Sequence, residues 1–218
     1  MDELELLKKQ WQSSEQKLPK LTYDDIYKML LKKSSSIVKW IFYISIAEIL
    51  FWTLLSFMVP ESSTKFSDDI GLHNILVGVN VLNYTVFGVF IILFYRNYCK
   101  ISTTDSIKDL MKNILRTRKT VKYFVIYNVT ASVLLIIGIN FYYYFNQDIV
   151  FQFMTEDYGI TNISQERFMK MFFVIQILFG IVMIGFILLF YRIVYGILLR
   201  RLYNNYKELK KIELWKKP

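Results

Sequence analysis

One carboxylate in this chain sits where a carboxylate is costly. Glu48 lies near the middle of the apolar stretch from Ile37 to Val59. On insertion scales an acidic residue at the centre of a membrane helix costs about 3 kcal/mol, and each Leu, Ile, Phe or Val offsets about 0.3–0.6 kcal/mol of that. Eleven such residues between Ile41 and Val59 outweigh the acid, so insertion stays favourable. At comparable depth, two other apolar stretches offer Asn80, Asn83 and Tyr84, and then Asn128 and Thr130. One chemistry these groups could support is an intramembrane proton or cation site built from Glu48 and the amides. The plainer one is a Glu held by hydrogen bonds across helices as packing.

Other reactive residue types are scarce. The chain has one His, His73, and one Cys, Cys99. Asp68, Asp69 and His73 are close enough in sequence to suggest a divalent cation, but no second His or Cys supports them, and a solvated helix start is the simpler account. No Walker-type or G-x-G-x-x-G run occurs. No catalytic set, metal or cofactor is expected, and an enzyme is the weaker class.

The elements that must position these residues are helical and membrane-embedded. Of 218 residues, 54% are hydrophobic and 17% aromatic, with eight Gly and three Pro, which leaves little chemistry for loop-rich or β-rich folds. No stretch alternates apolar and polar residues as a barrel strand does. The apolar runs place four spans at about 37–59, 72–95, 122–145 and 170–191. Twenty-three residues rise about 34 Å as a helix, enough to cross a hydrocarbon core of about 30 Å.

Charge sets the expected orientation. Segments 1–39, 96–122 and 192–218 carry eight basic residues each, 24 of the 27 in the chain. The other two loops hold Lys65, Arg167 and Lys170. Both termini and the middle loop are therefore expected in the cytoplasm of a bacterial inner-membrane protein, facing anionic headgroups. The net charge of +9 follows this pattern, so nucleic acid is not an expected partner. The polar first 36 residues contain no apolar region of the kind a cleaved leader carries, so the first span is expected to be an uncleaved anchor.

Two sequence echoes suggest a duplicated unit. Phe90-Ile91-Ile92-Leu93-Phe94-Tyr95-Arg96 recurs as Phe186-Ile187-Leu188-Leu189-Phe190-Tyr191-Arg192. Val38-Lys39-Trp40 is echoed by Val121-Lys122-Tyr123. Lys39, Tyr95, Arg96, Lys122, Tyr191 and Arg192 read as interfacial anchors, the basic groups snorkelling to phosphate and the tyrosines lying in an aromatic belt.

The predicted architecture is an all-α integral membrane four-helix bundle of two tandem transmembrane hairpins, 37–95 and 122–191, each preceded by a cytoplasmic amphipathic helix. Those helices fall in 1–36, starting at Thr22 with Asp25 as its capping partner, and in 96–121, where Ile107, Leu110, Met111, Ile114 and Leu115 share one face. An upstream stretch, Leu4 to Trp11, is weakly amphipathic. A basic helical tail, 192–218, continues the fourth span.

Asp2 through Trp11, Leu18-Pro19-Lys20-Leu21-Thr22-Tyr23, and Lys32 through Trp40 together resemble uncharacterised four-span integral membrane proteins of flavobacterial (Bacteroidetes) type. The resemblance implies no particular activity. Two function classes remain. The first is a non-enzymatic regulator, scaffold or accessory subunit acting through its cytoplasmic helices on a cytosolic protein partner. The second is a small channel or transporter, active as a homo-oligomer, that uses the polar groups around Glu48.

Overall fold

The structure is a computed structural model and describes residues 22–159 and 163–215. The stretch Leu4–Trp11 lies outside the described residues. Six helices follow in order: α1 (Tyr23–Phe57), α2 (Glu61–Asp69), α3 (His73–Ser102), α4 (Ile107–Phe145), α5 (Gln147–Tyr158) and α6 (Gln165–Trp215). Four of them, α1, α3, α4 and α6, are long and apolar enough to cross a membrane. Around the bundle, α1 packs on α3, α3 on α4, α4 on α6 and α6 back on α1.

The helix starts follow local chemistry. The Thr22 side chain accepts from the Asp25 backbone N–H while the Asp25 carboxylate accepts from the Thr22 N–H, a reciprocal capping box. The Thr22 hydroxyl also donates to Asp25 Oδ2 at 2.5 Å, and this bond first, then the one from the Thr22 N–H, holds the Asp25 carboxyl below its usual range. Ser106 caps α4 in the same way, accepting from the Asp109 N–H at 3.1 Å.

The stretches ahead of the first and third spans are helical and continuous with them. One unbroken helix runs from Tyr23 through Ser34-Ser35-Ser36 to Phe57, and another from Ile107 to Phe145. The serines do not interrupt α1 because Ser34 is buried and accepts a hydrogen bond from Asn205 Nδ2 at 3.0 Å. Its polarity is satisfied inside the bundle rather than at a break. The fourth span does continue: α6 has 51 residues, about 77 Å of helix.

The main core sits at the end of the bundle that carries the basic residues. Leu30, Val38 and Ile41 of α1, Phe94 and Ile101 of α3, Leu110, Ile114, Val121 and Phe124 of α4, and Tyr195, Leu202 and Leu209 of α6 form one buried cluster. Polar bridges lie within it or at its rim. Asn97 donates to Thr120 at 3.1 Å, and Tyr27 donates to the Thr104 carbonyl at 2.7 Å, tying α1 to the α3–α4 turn. Burial, then Asp105 and Asp109, push the Tyr27 phenol above its ordinary pKa.

A smaller cluster closes the opposite end. There Ile70, Leu72, Tyr143, Val150 and Met169 are buried beneath the short helices α2 and α5. Glu61–Asp69, polar in composition, is helical, with Phe66 packed on Tyr143. Gly71 makes the turn into α3 with φ of 74°, and a Cβ there would meet Tyr142 Oη at 3.3 Å. Between the two clusters the apolar side chains of the four long helices point mostly outward.

Candidate functional site

Glu48 ends the buried stripe of α1. Ser34, Val38, Ile41, Ser45 and Glu48 recur at helical spacing on one face, and all are buried. Glu48 is 7% exposed, and its carboxylate faces α6. Tyr191 donates its hydroxyl to Glu48 Oε1, and Tyr195 donates to Oε2 at 3.1 Å. The two tyrosines are four residues apart and so lie on one face of α6.

Side-chain direction explains how the groups meet. Side chains lean toward the N-terminus of their own helix. In the antiparallel pair α1 and α6, Glu48 therefore leans toward the basic end, and the tyrosines lean away from it toward Glu48. Phe124 of α4 packs edge-on against both rings, with centroids at 6.3 and 5.9 Å, and it also meets Phe90 and Phe94 of α3 edge-on. Aromatic residues of α3, α4 and α6 thus enclose the acid from below.

The mid-bundle amides gather on the far side of Tyr191. A cavity of about 270 Å3 is lined by Asn80, Asn83, Tyr84 and Asn128, four of the sequence-predicted residues. Ser56, Ser132 and Tyr191 add hydroxyls, and Trp52 and Phe87 add aromatic walls. Tyr127 donates to Asn83 Oδ1 at 2.8 Å, and Asn128 Nδ2 donates to the Phe124 carbonyl at 2.8 Å. Tyr84 Oη lies 3.2 Å from Thr53 Oγ1.

Two of the predicted site residues lie outside this cavity. Glu48 lines an apolar groove between α1 and α6 and reaches the cavity wall only through Tyr191. Thr130 is exposed and lines another groove, between α3 and α4. It stands two residues from Asn128, which puts the two side chains on nearly opposite faces of α4. The six groups therefore divide into an acid held by tyrosines, a nest of amides, and one outward threonine.

The anchor set divides as well. Lys39, Tyr95, Arg96, Lys122 and Arg192 are exposed. Lys39 Nζ stands 5.6 Å from the Tyr43 ring centre, and Tyr95 packs on Phe42. Tyr191 departs from the expected aromatic belt: it is buried, because Glu48 and Phe124 give its hydroxyl and ring better partners than the interface would. Tyr195, which the sequence places only on an apolar stripe, and Asn205 were not among the sequence-predicted site residues. The signal available for them was their place on the apolar stripe of the α6 extension, where Tyr195 and Leu202 fall on the face that carries Tyr191.

At the end where α2 packs, His73 Nδ1 pairs with Asp68 at 3.0 Å on an exposed surface.

No curated protein and no solved structure matches the chain. The family described as "Domain of unknown function (DUF8845)" matches residues 24–214, from the first turn of α1 to the last of α6, and the chain belongs to that family.

Proposed function

We propose that this is a multi-pass protein of the bacterial inner membrane, built of two tandem transmembrane hairpins with both termini cytoplasmic. It acts as a non-enzymatic regulator, scaffold or accessory subunit that presents a basic helical bundle to a cytosolic protein. The observation that carries this reading is where the cations lie. Lys39, Arg96, Lys122 and Arg192 sit near the membrane ends of the helices and are accounted for by anionic headgroups.

Lys28, Lys108, Lys112, Lys207 and Lys210 are exposed much farther out. At about 1.5 Å per residue, Lys108 is about 21 Å along α4 from Lys122, and Lys207 about 22 Å along α6 from Arg192. The screening length at physiological salt is about 8 Å, so headgroups scarcely act on those positions. An acidic protein face is the counterpart that fits them, apart from Lys108, whose ammonium lies 4.0 Å from the Glu213 carboxylate of the same chain.

The test is purification of the full chain in mild detergent, alongside a variant carrying Lys108→Glu, Lys112→Glu, Lys207→Glu and Lys210→Glu. The wild type is expected to retain one acidic protein in stoichiometric amount after nuclease treatment. The variant should lose it, as should the wild type washed at about 0.5 M salt, where screening is far stronger. A wild type that purifies alone, or a partner indifferent to charge reversal, contradicts the reading.

A second reading, a small oligomeric channel or transporter, is favoured by the gathering of Asn80, Asn83, Tyr84 and Asn128 around one cavity. Flux measured in liposomes decides it. A change in ion or proton movement between wild type and Glu48→Gln supports the reading, and identical traces remove it.

A further inference from the structure

The amide cavity does not stand alone: it shares walls with two apolar grooves that face the surrounding lipid. The groove between α1 and α6, about 670 Å3, meets the cavity at Trp52, Ile187 and Tyr191. The groove between α3 and α4, about 1020 Å3, meets it at Asn83, Ala131 and Leu135.

We propose that the cavity and its adjoining grooves together bind an uncharged hydrogen-bonding lipid of the diacylglycerol type, with its head among the amides and its chains in the grooves. The proposal goes beyond the cytosolic-partner reading and holds whether or not that reading does.

The chemistry of the lining selects the head. Among the described residues, no Lys, Arg, Asp or Glu lines the cavity. Glu48 is not among the cavity's lining residues but stands in the wall of the α1–α6 groove, with each carboxylate oxygen taken by a tyrosine hydroxyl. A charged headgroup would enter without a counter-charge in a low-dielectric site, which is strongly unfavourable. Asn80, Asn83 and Asn128 offer neutral donors and acceptors instead, and the bonds of two of them fix which group is free. Asn83 spends its Oδ1 on Tyr127, which leaves its NH2 as a donor; Asn128 spends its Nδ2 on the Phe124 carbonyl, which leaves its Oδ1 as an acceptor. A free hydroxyl beside an ester carbonyl satisfies both groups at once. A hydrocarbon satisfies neither.

Size and depth agree. Pockets for drug-sized ligands run about 300–1,000 Å3. The cavity, at about 270 Å3, suits a compact head and not a whole lipid. The volume for chains lies in the grooves, whose linings are almost wholly apolar. Lipids with small uncharged heads can sink below the phosphate layer to mid-membrane, where desolvating a hydroxyl without a partner is costly. The cavity supplies that partner.

The test uses the full chain in nanodiscs and a diazirine-bearing dioctanoylglycerol as probe, with labelled residues mapped by mass spectrometry. Labelling is expected on residues lining the two grooves. Unlabelled dioctanoylglycerol should compete at least tenfold better than dioctanoyl phosphatidic acid or squalane. Asn83→Leu with Asn128→Leu should weaken labelling about tenfold, Ala131→Phe should fill the cavity and abolish it, and Thr85→Val, which lies outside the site, should change nothing. Gel filtration and circular dichroism establish that each variant is folded. Should Ala131→Phe fail that check, the amide pair decides, and Asn128→Ala replaces it if the double variant also fails, since a helical alanine is well tolerated there. Equal competition by squalane, stronger competition by phosphatidic acid, or labelling indifferent to the folded cavity variants would each overturn the proposal.

Discussion

The two copies of the aromatic–arginine motif are nearly identical in sequence and opposite in placement. In the first, Phe94 is fully buried and Tyr95 is 54% exposed; in the second, Phe190 is 42% exposed and Tyr191 only 6%. One position along a helix is about 100° of rotation, so α6 turns into the bundle the face that corresponds to the outer one of α3. The other echo behaves differently. Val38 and Val121 are both buried, Lys39 and Lys122 both exposed, and Trp40 and Tyr123 both face outward.

What separates the two echoes is Glu48. The acid sits on α1, and at the spacing set by Val38 and Val121 its counterpart on α4 is Ala131. A buried carboxylate requires donors, and α6 supplies them through Tyr191 and Tyr195, while the matching face of α3 carries Tyr95 and Cys99. The shared motif thus records a common boundary chemistry, and the neighbouring helix decides which of its residues turns inward.

That contrast can be broken most forcefully at its phenylalanines. Phe94→Ala removes a ring from the aromatic cluster on Phe124, and thermal unfolding in detergent should show a loss of about 3–5 kcal/mol. Phe190→Ala, facing lipid, should cost under about 1 kcal/mol. Equal losses would mean that the rotation is wrong. The tyrosines sharpen the same point with a smaller effect. Tyr191→Phe leaves one carboxylate oxygen without its donor and should cost about 1–2 kcal/mol, whereas Tyr95→Phe should leave the melting curve unchanged.

How much of this was legible in the sequence depends on the kind of information involved. The presence of four helices long and apolar enough to cross a membrane was legible because it depends on composition alone. The gathering of Asn80, Asn83 and Tyr84 was legible too, since their spacing puts them on one helical face. The rotation of α6 was not. A tyrosine next to an arginine at the end of an apolar run satisfies a lipid interface and a buried carboxylate equally well, and the choice is made by a residue 143 positions away. The partner of Ser34 was equally hidden, since Asn205 lies 171 positions away.

That serine contact provides a further comparison within α6, between adjacent asparagines. Asn205→Ala should lower stability by about 1 kcal/mol through the lost bond to Ser34, while Asn204→Ala, on the exposed side, should have no measurable effect. Smallest of all is the cap: Ser106→Ala should cost about 0.5–1 kcal/mol, seen as faster hydrogen exchange confined to the first turn of α4.

The inward turn of the second motif is tested most directly by a double-mutant cycle. Unfolding would be measured for Glu48→Met and Tyr191→Phe singly and together, with Glu48→Met and Tyr95→Phe as the parallel cycle. A coupling of about 1 kcal/mol between Glu48 and Tyr191, within the range for contacting pairs, and none between Glu48 and Tyr95 is the predicted result. Absence of coupling to Tyr191, or coupling of equal size in both cycles, would contradict it.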